Sequence, residues 1–188
     1  MMMNGKQRLG RWFVAAALMV GVTAAELFPA AVAAEVTAAS QAQPAPLLDT
    51  PLPRIGEEGQ VAMNDLRGQV VLVDFWASWC GPCRESFPWM NRMQKKYADQ
   101  GLRVVGVNLD QNKEDALQFL AQVPTHFTLL HDSQALLPEA YGLIGMPSSY
   151  LLDAQGRLRA SHTGFHASRV EDYEASIQKL LAEKPGTE

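Results

Sequence analysis

Hydrophobic positions in the middle of the chain follow two different spacings, which predict a buried strand and then a helix. Residues 70–76 form a nearly unbroken apolar run with many β-branched side chains, as in a strand buried on both faces. Apolar residues then recur every three or four positions over 82–98, which predicts a helix that Pro88 kinks by removing one backbone donor. Asp74 is the one residue that breaks the buried run.

The same alternation continues to the end of the chain. Further strands are predicted over 102–109, 127–130, 148–152 and 157–163, and further helices over 115–122, 134–141 and from a capping box of Ser168 and Glu171 onward. A turn signal at 153–156 makes the last two strands a hairpin. This order predicts an α/β fold over 54–184, a three-layer sandwich with a central mixed β-sheet flanked by helices.

The first 53 residues have a different pattern. Three basic residues precede an uncharged run over 12–25, and the small-x-small pattern Ala-Val-Ala follows at 31–33. This order predicts a secretory signal peptide over 1–33, with an uncleaved membrane anchor as the alternative. The uncharged run is shorter than the roughly 18 residues that argue for a spanning helix, which favours cleavage. Residues 34–53, rich in Ala, Gln and Pro, are predicted to form a linker.

Composition narrows the classes of function. The chain has 188 residues, of which 47% are hydrophobic, and a length of this order suits one domain with a tail. Its net charge of -4 disfavours a nucleic-acid partner, since such proteins usually carry a basic surface. Export by the signal peptide would place the protein in the bacterial periplasm or a similar oxidising space. Its two cysteines would then meet disulfide chemistry directly.

Both cysteines lie in the run Trp-Cys-Gly-Pro-Cys at 79–83, between the buried strand and the helix that follows it. A cysteine at a helix N-terminus faces unpaired backbone N–H groups and the positive end of the helix dipole, which favour the thiolate. Cys80 comes first and is expected to be exposed, so it is the candidate nucleophile. Cys83 is expected to be less exposed and to resolve the mixed disulfide that Cys80 forms.

Other uses of the Cys-x-x-Cys pair are less favoured. Zinc usually needs two further ligands, and the His pairs with ligand-like spacing begin more than 40 residues after Cys83. We interpret these pairs, His126 with His131 and His162 with His166, as surface or loop-end residues. A purely structural disulfide would close a very small loop and add little stability. We therefore expect no metal and no organic cofactor, with the Cys80–Cys83 pair itself as the redox group.

The sequence around the cysteines resembles a known family. Residues 73–84, Val-Asp-Phe-Trp-Ala-Ser-Trp-Cys-Gly-Pro-Cys-Arg, are similar to the active-site run of the thioredoxin superfamily. Three further stretches resemble its TlpA-like branch of ResA- and DsbE-like exported thiol-disulfide oxidoreductases: Asp-Leu-Arg-Gly at 65–68, Phe-Pro at 87–88 and Gly-Met-Pro-Ser at 145–148. The resemblance covers about 45–182. It implies a thioredoxin-like fold and a protein-disulfide oxidoreductase.

The resemblance also implies where a client protein binds. Pro147 matches the cis-proline that faces the cysteines in this superfamily, and Met146 before it would offer its backbone to an extended client strand. Trp79 is implied to cover the cysteines, and with Gly81 and Pro82 to add contact surface for the client.

Asp74 matches the buried acid of thioredoxin. Desolvation is expected to raise its pKa, so that it can take the proton from Cys83, through water, as that thiol attacks. TlpA-like proteins often have Asn at this strand position and Glu three residues after the second cysteine. Here the later position is Ser86, and Glu85 lies one residue early. Because of this departure the route of the proton is not determined by the resemblance, whereas the thiol-disulfide exchange itself is unaffected.

The dipeptide Gly81-Pro82 is that of reducing thioredoxins, which favours a reductase of protein disulfides. The resemblance then implies a membrane electron donor of the DsbD/CcdA type and client proteins that include apocytochrome c. The alternatives are a disulfide-donating oxidant of the same fold and a copper-binding assembly factor, although the latter usually has Cys-x-x-x-Cys. A peroxidase is disfavoured because Ala77 and Val73 occupy the places of its Thr and Pro. A non-catalytic binding module is disfavoured because both cysteines are intact.

Overall fold

The computed structural model describes residues 36–37 and 41–183. The signal peptide predicted over 1–33 and residue 184 of the predicted domain lie outside these residues. The chain divides into two units, Met1–Ala31 and Val32–Glu188, and the structure described below belongs to the second. Within the described residues, no helix has the length and apolar character needed to cross a membrane.

Strands and helices alternate along the described chain, as the hydrophobic spacing predicts. The strands are β1 (Leu52–Pro53), β2 (Gln60–Val61), β3 (Val70–Trp76), β4 (Leu102–Asn108), β5 (Thr128–His131), β6 (Ser148–Leu152) and β7 (Leu158–Thr163). The α-helices are α1 (Gly81–Tyr97), α2 (Lys113–Leu120), α3 (Leu136–Ala140) and α4 (Val170–Ala182). The short pair β1–β2 is antiparallel and was not predicted from the sequence.

A five-stranded mixed sheet in the order β5-β4-β3-β6-β7 forms the centre of the domain. The strand β3 pairs in parallel with β4 and antiparallel with β6, while β5 is parallel to β4 and β7 antiparallel to β6. The predicted α/β sandwich with a central mixed sheet is therefore confirmed.

The central strand β3 is buried along its whole length because both faces of the sheet are covered. On one face, Trp76 packs with residues of α1, α2 and α4 such as Phe87, Phe119 and Ile177. On the other face, Phe75 packs with Tyr141, which follows α3, and with residues from the segment before β3. Alternate side chains of a strand point to opposite faces, so a doubly covered strand requires a continuous apolar run.

The segment before β3 packs against the domain over its described residues. Ala45, Leu48 and Leu52 are buried. The Thr37 N–H donates to the carbonyl of Arg159 at 2.7 Å, and the Leu158 N–H donates to the carbonyl of Gln43 at 2.9 Å. These residues belong to the packed domain, although the sequence predicted a linker over 34–53.

The same segment also reaches β5. The Ile55 N–H donates to the carbonyl of Leu129 at 2.9 Å, and Arg54 forms an antiparallel bridge with Leu130.

The start of the last helix differs from its prediction. A short 3-10 helix, Ala167–Arg169, precedes α4, and the residue before α4 is Arg169, with no side-chain cap. The predicted capping box of Ser168 and Glu171 is therefore wrong. The extra turn moves the N-cap position by one residue, from Ser168 to Arg169, so that Ser168 no longer stands at the position from which it could cap α4.

Candidate active site

Cys80 and Cys83 form a disulfide at the N-terminus of α1. Their Cα atoms are 5.3 Å apart, and Cys80 is the N-cap residue, whose Sγ accepts a hydrogen bond from the Cys83 N–H at 3.2 Å. Gly81 and Pro82 form the first turn of the helix, where proline is tolerated because its missing N–H would have no helical partner. Cys80 Sγ therefore lies in the field of the unpaired N–H groups at the helix start.

The two cysteines differ in exposure in the predicted order, but both are buried. Cys80 is 5% exposed and Cys83 is fully buried. The expectation of an exposed Cys80 is wrong in degree, because Cys80 packs within the hydrophobic core of the domain. Cys80 remains the more exposed cysteine of the two.

A groove of about 530 Å³ leads to Cys80. Five of the predicted site residues line it: Trp79, Cys80, Gly81, Pro82 and Met146. The groove also contains Leu143, Ile144 and Gly145, and no charged residue lines it. Pro147 follows directly, and its peptide bond with Met146 is cis, as predicted for this position.

Two large apolar side chains on the rim of this groove are exposed to solvent. Trp79 is 71% exposed and Ile144 is 87% exposed. Exposed apolar residues next to a reactive group are typical of a protein-binding surface. Sequence reasoning missed Leu143 and Ile144. Their signal is a Leu-Ile pair outside any predicted strand or helix, directly before the Gly-Met-Pro run.

Asp74 lies in the middle of β3 and is 1% exposed. The Ser149 hydroxyl donates to Asp74 Oδ2 at 2.6 Å, while Oδ1 has no hydrogen-bond partner among the described residues. Burial raises the pKa of Asp74 to about 7, and the hydrogen bond from Ser149 opposes that rise. A carboxyl group with such a pKa can both accept and release a proton near neutral pH.

Ser86, at the place where TlpA-like proteins often have Glu, carries no charge. Its hydroxyl donates to the carbonyl of Cys83 at 2.9 Å, one helical turn back. Ser86, Asp74 and Pro147 line the same small enclosed cavity. Asp74 on β3 is therefore the acidic residue that lines this cavity, and α1 contributes none.

A second buried carboxylate, Asp110, holds the loop that carries Trp79 and Cys80. It accepts hydrogen bonds from the Ser78 N–H at 3.0 Å, the Ser78 hydroxyl at 2.9 Å and the Asn108 side-chain amide at 2.8 Å. The ring of His131 donates from Nε2 to the carbonyl of Asp110 at 2.7 Å. Sequence reasoning missed this network, whose signal is a polar Asn-x-Asp sequence at the end of a buried strand.

The four histidines do not gather around the cysteines. His131 belongs to the Asp110 network, the backbone N–H of His126 donates to the Asn91 side chain, and His162 and His166 lie on or after β7. Over 36–37 and 41–183, no group of three His, Cys, Asp or Glu residues could hold a metal ion.

Residues 32–177 match the family described as Redoxin. The thiol-disulfide oxidoreductase ResA of Bacillus subtilis is 30% identical over 115 residues, which cover 61% of this chain and 64% of ResA. The thioredoxin-like protein YneN of the same organism is 36% identical over 106 residues, which cover 55% of this chain and 61% of YneN. These matches thus span less than two thirds of each relative.

A solved structure extends the likeness over more of the domain. A protein from Chlorobium tepidum assigned as a thiol:disulfide interchange protein DsbE is 47% identical, with a TM-score of 0.71. The alignment covers 75% of this chain and 97% of that protein. A secreted thiol-disulfide isomerase from Corynebacterium glutamicum is 22% identical with a TM-score of 0.70, which shows a shared fold.

Proposed function

The chain belongs to the Redoxin family, and on that basis we propose that it is an enzyme that exchanges thiols and disulfides with client proteins through Cys80 and Cys83. The resemblance to ResA- and DsbE-like proteins is confirmed by the relatives and by the Chlorobium tepidum structure. The observation that carries the proposal is a disulfide at a helix N-terminus, facing the cis Met146–Pro147 bond across an apolar groove.

In the reducing direction, the reaction begins with both cysteines as thiols. The Cys80 thiolate attacks one sulfur of the client disulfide, and the other client sulfur leaves as a thiolate. Cys83 then loses its proton to the Asp74 carboxylate and attacks Cys80 Sγ. The Cys80–Cys83 disulfide forms, the second client sulfur leaves, and two electrons have passed from the enzyme to the client.

The groove supports a role in holding the client during this exchange. An extended client segment lying along Trp79, Gly81 and Pro82 would bring its disulfide to the one cysteine that is not fully buried. Met146 lines the same groove, where main-chain hydrogen bonds can hold a strand of any sequence. Apolar side chains of the client would contact Ile144 and Trp79.

We propose the reducing direction and a location in the periplasm. The Gly81-Pro82 dipeptide supports the direction, and the signal peptide predicted over 1–33 supports the location. A reductant in an oxidising compartment must be recharged, so a membrane electron donor of the DsbD/CcdA type is part of the proposal. Apocytochrome c and other proteins with unwanted disulfides are the proposed clients. The redox group is the cysteine pair itself, without a metal or organic cofactor.

Two measurements test this function. In the reduced state, the Cys83→Ser variant should accumulate a stable mixed disulfide between Cys80 and a disulfide-containing peptide, detected by mass spectrometry. The matched Cys80→Ser variant should trap none, because Cys83 is fully buried. Equal trapping by both variants would contradict the assigned roles.

The direction is tested by the equilibrium potential in glutathione or dithiothreitol buffers. A value of about −250 mV or lower supports a reductant, whereas a value of about −120 to −150 mV would mean a disulfide-donating oxidant.

A further inference from the structure

Three polar residues form a row across the central sheet. Asp74 on β3 lies directly opposite Ser149 on β6, and Ser149 lies directly opposite His162 on β7. Residues opposite each other on neighbouring strands project from the same face of a sheet. The row therefore runs on one face from the centre of the sheet to its β7 side.

This row lines an enclosed cavity of about 10 Å³ beneath α1 and α4. Trp89 of α1 and Tyr173 of α4 line it from the other side. Four buried polar atoms of these residues have no hydrogen-bond partner among the described residues: Asp74 Oδ1, Trp89 Nε1, His162 Nδ1 and Tyr173 Oη. A cavity of about this size can hold one water molecule, and buried polar groups without partners are rare in folded proteins.

His162 is the member of this set that connects the cavity with the surface. Its Nδ1 is buried, yet the residue as a whole is partly exposed, whereas Asp74 is 1% exposed. The ring packs against Tyr173 with centroids 4.5 Å apart, which fixes its position at the cavity wall. An imidazole can accept a proton on one nitrogen and release one from the other, so it can pass a proton through such a wall.

We infer that His162 carries the proton of Asp74 between the cavity and the solvent. The inference rests on the proposed function, in which Asp74 takes one proton from the Cys83 thiol. That proton passes through the cavity to His162 Nδ1, and as it arrives one proton leaves the other ring nitrogen for the solvent, so that no lasting imidazolium is required. No electron moves in this step, and the imidazole is neutral again once the proton has left.

The groups around the ring keep it neutral before the proton arrives. Asp74 faces it from β3, Arg169 from the 3-10 helix before α4, and Asp172 and Tyr173 from α4. The pKa of His162 is lowered to about 4, mainly by desolvation and also by the charge of Arg169, while Asp172 opposes both. The ring is therefore neutral while Asp74 titrates near pH 7, and a neutral imidazole has a nitrogen free to accept a proton.

The test separates the two chemical steps in one experiment. Reduced protein reacts with 5,5′-dithiobis(2-nitrobenzoate): attack by Cys80 releases one coloured thiolate, and attack by Cys83 on the mixed disulfide releases a second. We expect His162→Ala to leave the first release unchanged and to slow the second about tenfold, a modest part of what acid–base catalysis contributes. Added imidazole should restore the second release in His162→Ala. The matched control His166→Ala, at an exposed histidine four residues on, should behave like the unmodified protein.

The remaining outcomes distinguish a failure of the inference from a failure of the proposed function. An unchanged second release in His162→Ala overturns the inference, and so does a slower release that imidazole does not restore, because a packing defect would act in that way. Should His162→Ala fail to fold, His162→Gln decides: a slower second release supports the inference, and an unchanged one overturns it. A missing first release in the unmodified protein would contradict the proposed function instead.

Discussion

The Ser149 hydroxyl donates a hydrogen bond of 2.6 Å to Asp74 Oδ2 from the directly opposite position on the neighbouring strand. The Asp74 side chain is 1% exposed, and among the described residues Ser149 is the one that donates a hydrogen bond to it. One hydrogen bond offsets only part of the desolvation of a buried carboxylate, so the pKa of Asp74 stays raised, at about 7. Burial, with this hydrogen bond opposing it, therefore lets Asp74 change its protonation state near neutral pH.

Removal of this hydrogen bond should move the pH dependence of catalysis. Ser149→Ala deletes a donor that lowers the pKa of Asp74, so the pKa should rise further. Asp74 accepts the Cys83 proton only as a carboxylate, and the rate of the second release from the reagent above should therefore increase with pH through that pKa. Because hydrogen bonds to charged groups are worth about 1.5–3 kcal/mol, the midpoint should move up by about one to two pH units.

Ser148→Ala is the matched control for that shift. The Ser148 hydroxyl donates to the carbonyl of Gly145 at 2.8 Å and, among the described residues, makes no hydrogen bond to Asp74. Its midpoint should equal that of the unmodified protein. A midpoint that moves equally in both variants would mean that Ser149 does not set the pKa of Asp74.

Asp74 should also make the stability of the oxidised protein depend on pH. The pKa of Asp74 is about 7 in the folded protein, whereas the ordinary value, expected in the unfolded chain, is 3.8. Between these values the unfolded chain releases the proton and the folded protein keeps it, so the free energy of unfolding falls as the pH rises. Above about pH 7 the full loss, about 4 kcal/mol for a buried group, is reached.

Asp74→Asn does not titrate and should lack this loss. Urea unfolding of both oxidised proteins at several pH values measures the difference. The advantage of the variant should grow from about pH 4 to about pH 7 and then level off. A difference that stays constant over this range would contradict a raised pKa for Asp74.

Gly106→Ala should destabilise the fold by crowding the neighbours of Trp76. A Cβ atom at Gly106 would lie 3.0 Å from Leu129 Cδ2 and 3.1 Å from Trp76 Nε1. Overpacking of this kind costs about 1–3 kcal/mol, which a lower urea midpoint would reveal. At Gly81 an added Cβ meets no atom within 4 Å, so Gly81→Ala serves as the control for stability. Equal midpoints for the two variants would contradict close packing at Gly106.

Substitutions on the rim of the groove should weaken the binding of client proteins more than they change the stability of the fold. Trp79→Ser and Ile144→Ser remove exposed apolar surface, so the free energy of unfolding should change by less than about 0.5 kcal/mol. Reduction of a protein substrate such as insulin should show a higher KM, while the first release from the small aromatic reagent should change little. Leu117→Ser, an exposed apolar residue of α2, should leave the KM for insulin unchanged. An equal effect of Leu117→Ser would show that the groove has no special role.

Much of the fold could be predicted because its signals are local. The strands β3 and β6 have the predicted bounds, since short buried runs of apolar and β-branched residues strongly favour strands. The cysteine pair was predicted at the start of a helix, and the structure places it there. The break at Asp74 was visible as a polar residue in an apolar strand.

Features that depend on distant parts of the chain could not be predicted in this way. The Asp110 network joins residues 32 positions apart, and the row of Asp74, Ser149 and His162 depends on the register of three strands. The strands β1 and β2 are two residues each, too short to show any periodicity. The degree of burial at Cys80 depends on how closely the loop at 143–146 approaches α1.

The chain before β3 has a consequence for self-association. Strands β5 and β7 are the two edges of the five-stranded sheet, and open edges can recruit strands from other molecules. Thr37 and Gln43 pair with β7, while Arg54 and Ile55 pair with β5. One segment thus occupies both edges, so a shortened protein that begins at residue 57 would expose them together and aggregate.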